Sequence, residues 1–320
     1  MISMNHRAFL KPFRLSGLSF YSKLRIIDYL RFPVFGRSRR VFLFHNIGND
    51  TPFTKHLGVS TSREIFEEFI YLLSCHYRII PFSRIVNPDN TEPLCSITFD
   101  DGLLSYCNLA LPILEKYRLP SKIFINSEPL NGFIPWLNKL SYLFEYLPER
   151  INDIARSAIP SFKKSRKALI NDFIDYFTLT DTVSVINREF FKLITEVDSN
   201  FDEKKVTSTL FLMPDQIRNL ATNPLVEIGS HTKHHYPLTR LPKDIVRDEI
   251  ISCHEELNEI IPGRVSGFAV PFGTTDSRTK EIAKEVSLVD QFFVSSIAGR
   301  IGNSEVGHLP EIPRYVFSAR

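Results

Sequence analysis

Short runs of apolar, β-branched and aromatic residues recur along the chain, each followed by a stretch with helical spacing. The runs are Val41–Phe44, Arg78–Phe82, Cys95–Phe99, Lys122–Asn126, Val226–Gly229, Gly267–Val270, Phe292–Ser296 and Arg314–Phe317. Most lack the apolar–polar alternation of a half-exposed sheet, which predicts strands buried on both faces. Between them, Thr61 and Glu64 have capping-box spacing ahead of Ile65, Phe66, Phe69, Ile70 and Leu73. Val246, Ile250, Cys253, Leu257 and Ile260 form another stripe at helical spacing. Strand and helix alternating in this way predict a parallel sheet. About eight strands favours an α/β fold of the barrel type, a distorted (β/α) barrel of about seven or eight strands, over an open doubly wound sheet.

One interval departs from this rhythm. From Asn126 to Val226 there are helical stripes and no convincing strand: Trp136, Leu140, Leu143 and Phe144 make one, and Leu169, Ile170, Phe173 and Phe177 another. A structureless loop of that length does not suit a compact domain. Residues 130–222, approximately, are therefore expected to form a helical insertion on the rim of a barrel domain spanning residues 41–320. Whether it serves as lid, substrate platform or dimer surface is left open by the pattern.

Composition narrows the class. A chain of 320 residues, 43% apolar and 23% charged, buries enough surface to fold without staples. It is neither collagen-like nor disordered in composition. The four cysteines, Cys75, Cys95, Cys107 and Cys253, are scattered with no C-x-x-C pair, which argues against a thiolate metal site or a disulfide framework. The net charge of +3 is uneven: residues 1–40 hold nine basic residues against Asp28 alone, a local +8 that leaves −5 for the remainder. This basic segment is expected to be helical, and it suits either peripheral contact with acidic lipid head groups or a plain solvated face. The mildly acidic body offers no footprint for nucleic acid. No stretch reaches a signal-peptide h-region or the ~18 apolar residues of a membrane span, so the expected location is cytoplasmic, at most peripheral to the inner face of the membrane.

Polar clusters follow several of the apolar runs, at the strand ends where barrels and open α/β sheets build their sites. After Ser96-Ile97-Thr98-Phe99 come Asp100, Asp101 and Gly102. Two adjacent carboxylates repel unless a cation or proton is shared; alone, the triplet reads as a plain Asp-Gly turn. After Val226-Glu227-Ile228-Gly229 come Ser230, His231, Thr232, Lys233, His234 and His235, with three of the nine histidines inside five residues. His231 and His235 stand four apart and can face one ion, while His234 points elsewhere. Two imidazoles and one carboxylate leave positions open, as catalytic metal sites do. In Val270-Pro271-Phe272-Gly273 a tight turn can offer a backbone N–H to a developing oxyanion. His45, directly after Val41–Phe44, suits general acid duty or a hydrogen-bonded core position equally well.

Taken together, these clusters resemble the polysaccharide deacetylase family, carbohydrate esterases with a nodulation-type deacetylase domain. The resemblance runs from about Arg40 to the C-terminus and rests on Thr98-Phe99-Asp100-Asp101-Gly102 and on Ser230–His235 continuing into Pro237-Leu238-Thr239. It implies Asp100 as catalytic base, with Asp101, His231 and His235 as metal ligands. It also implies Phe272 as the backbone oxyanion donor. Phe42-Leu43-Phe44-His45 is similar to the tyrosine-histidine motif of a subgroup that includes the biofilm poly-N-acetylglucosamine deacetylases, in which this histidine is the proposed acid. Two positions depart from the family pattern. Ala269 stands where an arginine often orients the base, and Arg314 is expected to take that role. His308 does not fit the family's Leu-x-His, which favours His45 as acid. The implied activity is metal-dependent hydrolysis of N-acetyl groups on a polysaccharide or lipid-linked glycan, with zinc the default metal and an acetylated glycan the partner. Removal of O-acetyl or N-formyl groups at the same site, and a non-catalytic glycan-binding relative, are the alternatives. The last loses weight because both carboxylates and both histidines are present.

Overall fold

The computed structural model describes residues 39–85, 93–158, 172–174, 182–285, 293–295 and 311–317. Eleven strands are found among them: β1 (Arg39–Phe44), β2 (Asn46–Ile47), β3 (Ser60–Thr61), β4 (Arg78–Ile79), β5 (Leu94–Phe99), β6 (Ser121–Ile125), β7 (Val226–Ser230), β8 (Val265–Ala269), β9 (Phe293–Ser295), β10 (Glu311–Pro313) and β11 (Tyr315–Val316). The main sheet runs β10-β9-β8-β7-β6-β5-β1-β11, every pairing parallel, with β4 added against the start of β5. β2 and β3 form a small parallel pair of their own.

The central strands are buried on both faces, which is why they read as continuous apolar runs. Phe42, Phe44, Cys95, Ile97, Phe99, Ile123, Ile125 and Ile228 pack outward into the larger core. Val41, Leu94, Phe124 and Ala269 belong to a second cluster with Phe82 and Ile85. The outer layer is helical: α1 (Arg63–His76) supplies Phe66, Phe69, Ile70 and Leu73, and α2 (Leu111–Tyr117) supplies Ile113 and Leu114. Gly229 is required by packing. A β-carbon there would meet the Phe124 ring at 2.6 Å and the Ser266 carbonyl at 2.7 Å.

The sheet forms a distorted barrel. Its hydrogen-bonded path does not run round as a ring, yet its two ends are consecutive in the chain, β10 and β11 being separated by Arg314 alone.

Between β6 and β7 lie α3 (Trp136–Tyr146), α4 (Pro148–Ala158), α5 (Thr182–Val197), α6 (Glu203–Leu210) and α7 (Pro214–Thr222). Trp136, Leu140, Leu143, Ile151, Phe190, Ile194 and Phe211 build a separate core there, joined by Phe53, Leu103 and Tyr236 from barrel loops. The helix α7 instead packs against β7 and places Ile217 and Leu220 in the main core. Two helices complete the layer beyond β7: α8 (Lys243–Ile260) and α9 (Ser277–Glu285).

Two local expectations are corrected. The cap of α1 is Ser62, whose Oγ accepts the Ile65 N–H at 3.3 Å. Thr61 is committed to β3 and its hydroxyl donates to the Phe317 carbonyl. The run Arg78–Phe82 is a strand only over Arg78–Ile79, because Pro81 has no N–H for a ladder and opens a 3₁₀ turn over Phe82–Arg84. Of the predicted stripe around Phe173, Leu169, Ile170 and Phe177 lie outside the described residues; Phe173 itself packs edge-on against Phe144. His308 and the basic segment up to residue 38 also lie outside them. Among the described residues no helix is long and apolar enough to cross a membrane.

Candidate active site

The side chains of an extended strand alternate, so consecutive carboxylates leaving β5 ought to face opposite ways. They do not, because Asp101 takes a left-handed backbone (φ 72°). As a result Asp100 Oδ2 and Asp101 Oδ1 each lie 3.6 Å from the same atom, His231 Nε2. Asp100 is fixed to the barrel through its N–H, which donates to the Phe44 carbonyl at 3.1 Å.

The loop after β7 bends equally sharply, with φ 67° at Thr232 and 57° at His235. Such values cost a non-glycine residue about 1–3 kcal/mol and persist only where surroundings over-determine them. Here they do. Asn126, at the end of β6, donates its amide to the His231 carbonyl at 2.5 Å and the Thr232 carbonyl at 3.1 Å. Glu249 of α8 accepts the Lys233 N–H on its backbone carbonyl and the His234 N–H on its carboxylate. The same carboxylate holds the His234 ring, turning it away from the cluster as expected. His235 N–H donates to Thr232 Oγ1, and Trp136 Nε1 donates to the His235 carbonyl at 3.2 Å.

The outcome is a compact donor set. His235 Nε2 lies 3.4 Å from Asp101 Oδ1 and His231 Nε2 lies 3.6 Å from it. One donor atom from each of the three residues falls within 4.8 Å of the others. Ligands on tetrahedral bonds of about 2.0–2.2 Å stand about 3.3–3.6 Å apart, so the spacing fits a divalent cation. Asp101 Oδ1 is buried with no hydrogen-bond partner, as is His235 Nδ1. His231 Nδ1–H donates to the Ala269 carbonyl at 2.8 Å, which leaves the Nε2 lone pair facing Asp101. Burial outweighs the Asp100 charge and pulls both histidines down to about 4, so both are neutral and ligand-competent at pH 7. Burial, opposed by His45 and His231, pushes Asp101 up, which favours a shared proton or a bound cation at this carboxylate.

Asp100 is the opposite case. Burial would raise it, but Arg314 faces it in a bidentate pair, Nη1–Oδ1 at 2.6 Å and Nη2–Oδ2 at 2.7 Å, and holds it at about 2. Arg314 is fully buried and stacks 5.4 Å from the centre of the Phe124 ring. His45, at the end of β1, has a buried Nδ1 without a hydrogen-bond partner and lies within electrostatic range of Asp100, Asp101 and His235. Phe272 has φ 58° and ψ 1°, and its ring sits edge-on to His235 at 4.9 Å. The seven residues singled out from the sequence that are described here thus meet at one end of the barrel.

Residues 185–289, which include β7, its histidine loop and the Phe272 turn, match the family model for polysaccharide deacetylase. The match covers about a third of the chain. No curated protein matches the chain. Among solved structures, a Streptococcus pyogenes deacetylase, PplD, in complex with acetate is similar at 14% identity with a TM-score of 0.54, over 88% of this chain and 93% of that one. IcaB from Ammonifex degensii is similar at 15% identity with a TM-score of 0.55, over 88% and 93%. A de-N-acetylase from Aggregatibacter actinomycetemcomitans is similar at 16% identity with a TM-score of 0.54, over 88% and 95%. At these identities the likeness is one of fold.

Three residues that shape this site escape a reading of motifs. Asn126 was visible only as a polar residue closing a strand. Glu249 sits between Val246 and Ile250 on a buried stripe and is itself 3% exposed, an acid where the pattern expects none. Trp136 reads as one more apolar position of α3, although it is the single tryptophan of the chain.

Proposed function

We propose that this domain hydrolyses N-acetyl groups on a sugar polymer or lipid-linked glycan, with Asp101, His231 and His235 holding a divalent cation, zinc by default. The observation that carries the reading is the convergence of Asp101 with both imidazoles beside a second, separately paired carboxylate. Asp100 serves as base. A carboxylate held near 2 is ionised at every working pH but is a weak base; the cation, when bound, supplies the Lewis acidity that polarises the acetyl carbonyl and acidifies water. Asp100 takes the proton of the attacking water, and Arg314 keeps the carboxylate ionised and oriented between turnovers. The Phe272 N–H shares the charge developing on the carbonyl oxygen. His45 gives a proton to the departing amine, so water and amide become acetate and free amine.

The test combines metal analysis with acetate release from chitooligosaccharides. Asp100→Asn is expected to keep the cation and lose about 10²–10⁴-fold in rate, whereas His231→Ala loses both cation and rate. Near-normal turnover in Asp100→Asn removes it as base. A wild-type chain that binds the sugar and frees no acetate belongs instead with non-catalytic binding proteins, and release from O-acetylated sugars alone changes the substrate class. His45→Ala is expected to slow release far more than His308→Ala; the reverse order moves the acid to the C-terminal histidine.

A further inference from the structure

Helix α3 lies outside the barrel, yet it holds backbone on two sides of the candidate site. Asn138, Ser141 and Tyr142 share one helical face. Asn138 donates its amide to the Phe53 carbonyl at 3.1 Å, and Ser141 donates to the Pro52 carbonyl at 2.8 Å while accepting the His56 N–H at 3.1 Å. Tyr142 stacks on Phe53 with ring centres 4.7 Å apart. These contacts tie down the loop that follows His45. At the start of the helix Trp136, 2% exposed, donates its indole N–H to the His235 carbonyl, and its ring lies 6.5 Å from that of Phe272.

The position of that bond matters. His235 has φ 57°, and relaxing it toward ordinary backbone would swing the imidazole away from Asp101. The peptide before His235 is held by Thr232 Oγ1 and the peptide after it by Trp136. We propose that Trp136 is a positioning residue that locks His235 in its metal-binding orientation, which makes the helical interval part of the metal centre as well as its neighbour. This rests on the metal-site reading of Asp101, His231 and His235. Because Trp136 is the only tryptophan, its emission also reports on the state of the site.

The experiment titrates the metal-free full chain with zinc alone, followed by calorimetry and by tryptophan emission. Wild type is expected to bind zinc with an emission change that saturates at the same zinc concentration as the heat. Trp136→Phe keeps an aromatic ring and loses the N–H; its zinc affinity is expected to fall about 10–100-fold, the usual cost of removing a ligand's supporting hydrogen bond. Ser141→Ala, on the same helix but bonded to the other loop, is expected to bind zinc within about twofold of wild type, and this separates positioning of His235 from a general weakening of α3. Zinc binding to wild type without an emission change overturns the proposal even if Trp136→Phe fails to fold. Unchanged affinity in Trp136→Phe overturns it as well. A wild-type chain that binds no zinc overturns the metal-site reading and this one with it, a result distinct from the other two.

Discussion

Asp100 and Asp101 are chain neighbours whose proton affinities are driven apart, one down to about 2 by Arg314 and the other up by burial beside neutral imidazoles. A third carboxyl nearby tests the same physics away from Asp101 and the two imidazoles. Glu128 follows β6, and its Oε2 is buried without a partner. Burial, only partly offset by His234 and Lys139, pushes it up to about 7. The unfolded chain ionises a glutamate near 4.5, so between about pH 4.5 and 7 the folded state holds more protons and its stability falls as pH rises. Glu128→Gln lacks this slope. Its stability relative to wild type is expected to climb through that window by no more than about 3 kcal/mol and to level off above it, measured by urea unfolding at several pH values; parallel curves exclude the effect. At this scale the residues that converge were legible because two dense polar clusters follow apolar runs. Their supports were not. Asn126, Glu249 and Trp136 act through backbone carbonyls and amides of residues about a hundred or fewer positions away, contacts that leave no local pattern.

Among the elements, strands were the most legible because burial on both faces writes itself as an unbroken apolar run. Helix starts were less so. Thr61 and Ser62 are both able to cap, and the choice was made by a distant partner, since Thr61 bonds to the Phe317 carbonyl. The pair β2–β3 is two residues long on each side, below any periodicity. Strand β7 shows how close packing at the element scale reaches the site, because Gly229 stands two residues before His231. Gly229→Ala places a β-carbon against Phe124 and the Ser266 carbonyl, and overpacking of this kind costs about 1–3 kcal/mol. A lower urea midpoint is expected, and an unchanged one indicates that β7 and β8, whose register already shifts between Ile228 and Ser230, slide apart without penalty.

Among the described residues the two largest cores divide the work: one binds sheet to helices, and the other joins the helical interval to loops from the barrel, Phe53, Leu103 and Tyr236 among them. The barrel as a class was readable from the count of strands. The way its ends meet was not, because it depends on one arginine interrupting a strand so that the segment before it pairs with β9 and the segment after it with β1. That arrangement has a consequence during synthesis. Asp100 is separated from Arg314 by 214 positions, and at about 5–20 residues per second a ribosome needs about 10–40 s to cover that distance. Throughout the interval Asp100 is made but Arg314, its partner in the folded chain, is not. A fragment ending short of Arg314 retains Asp101, His231 and His235 and lacks the counter-charge that faces Asp100.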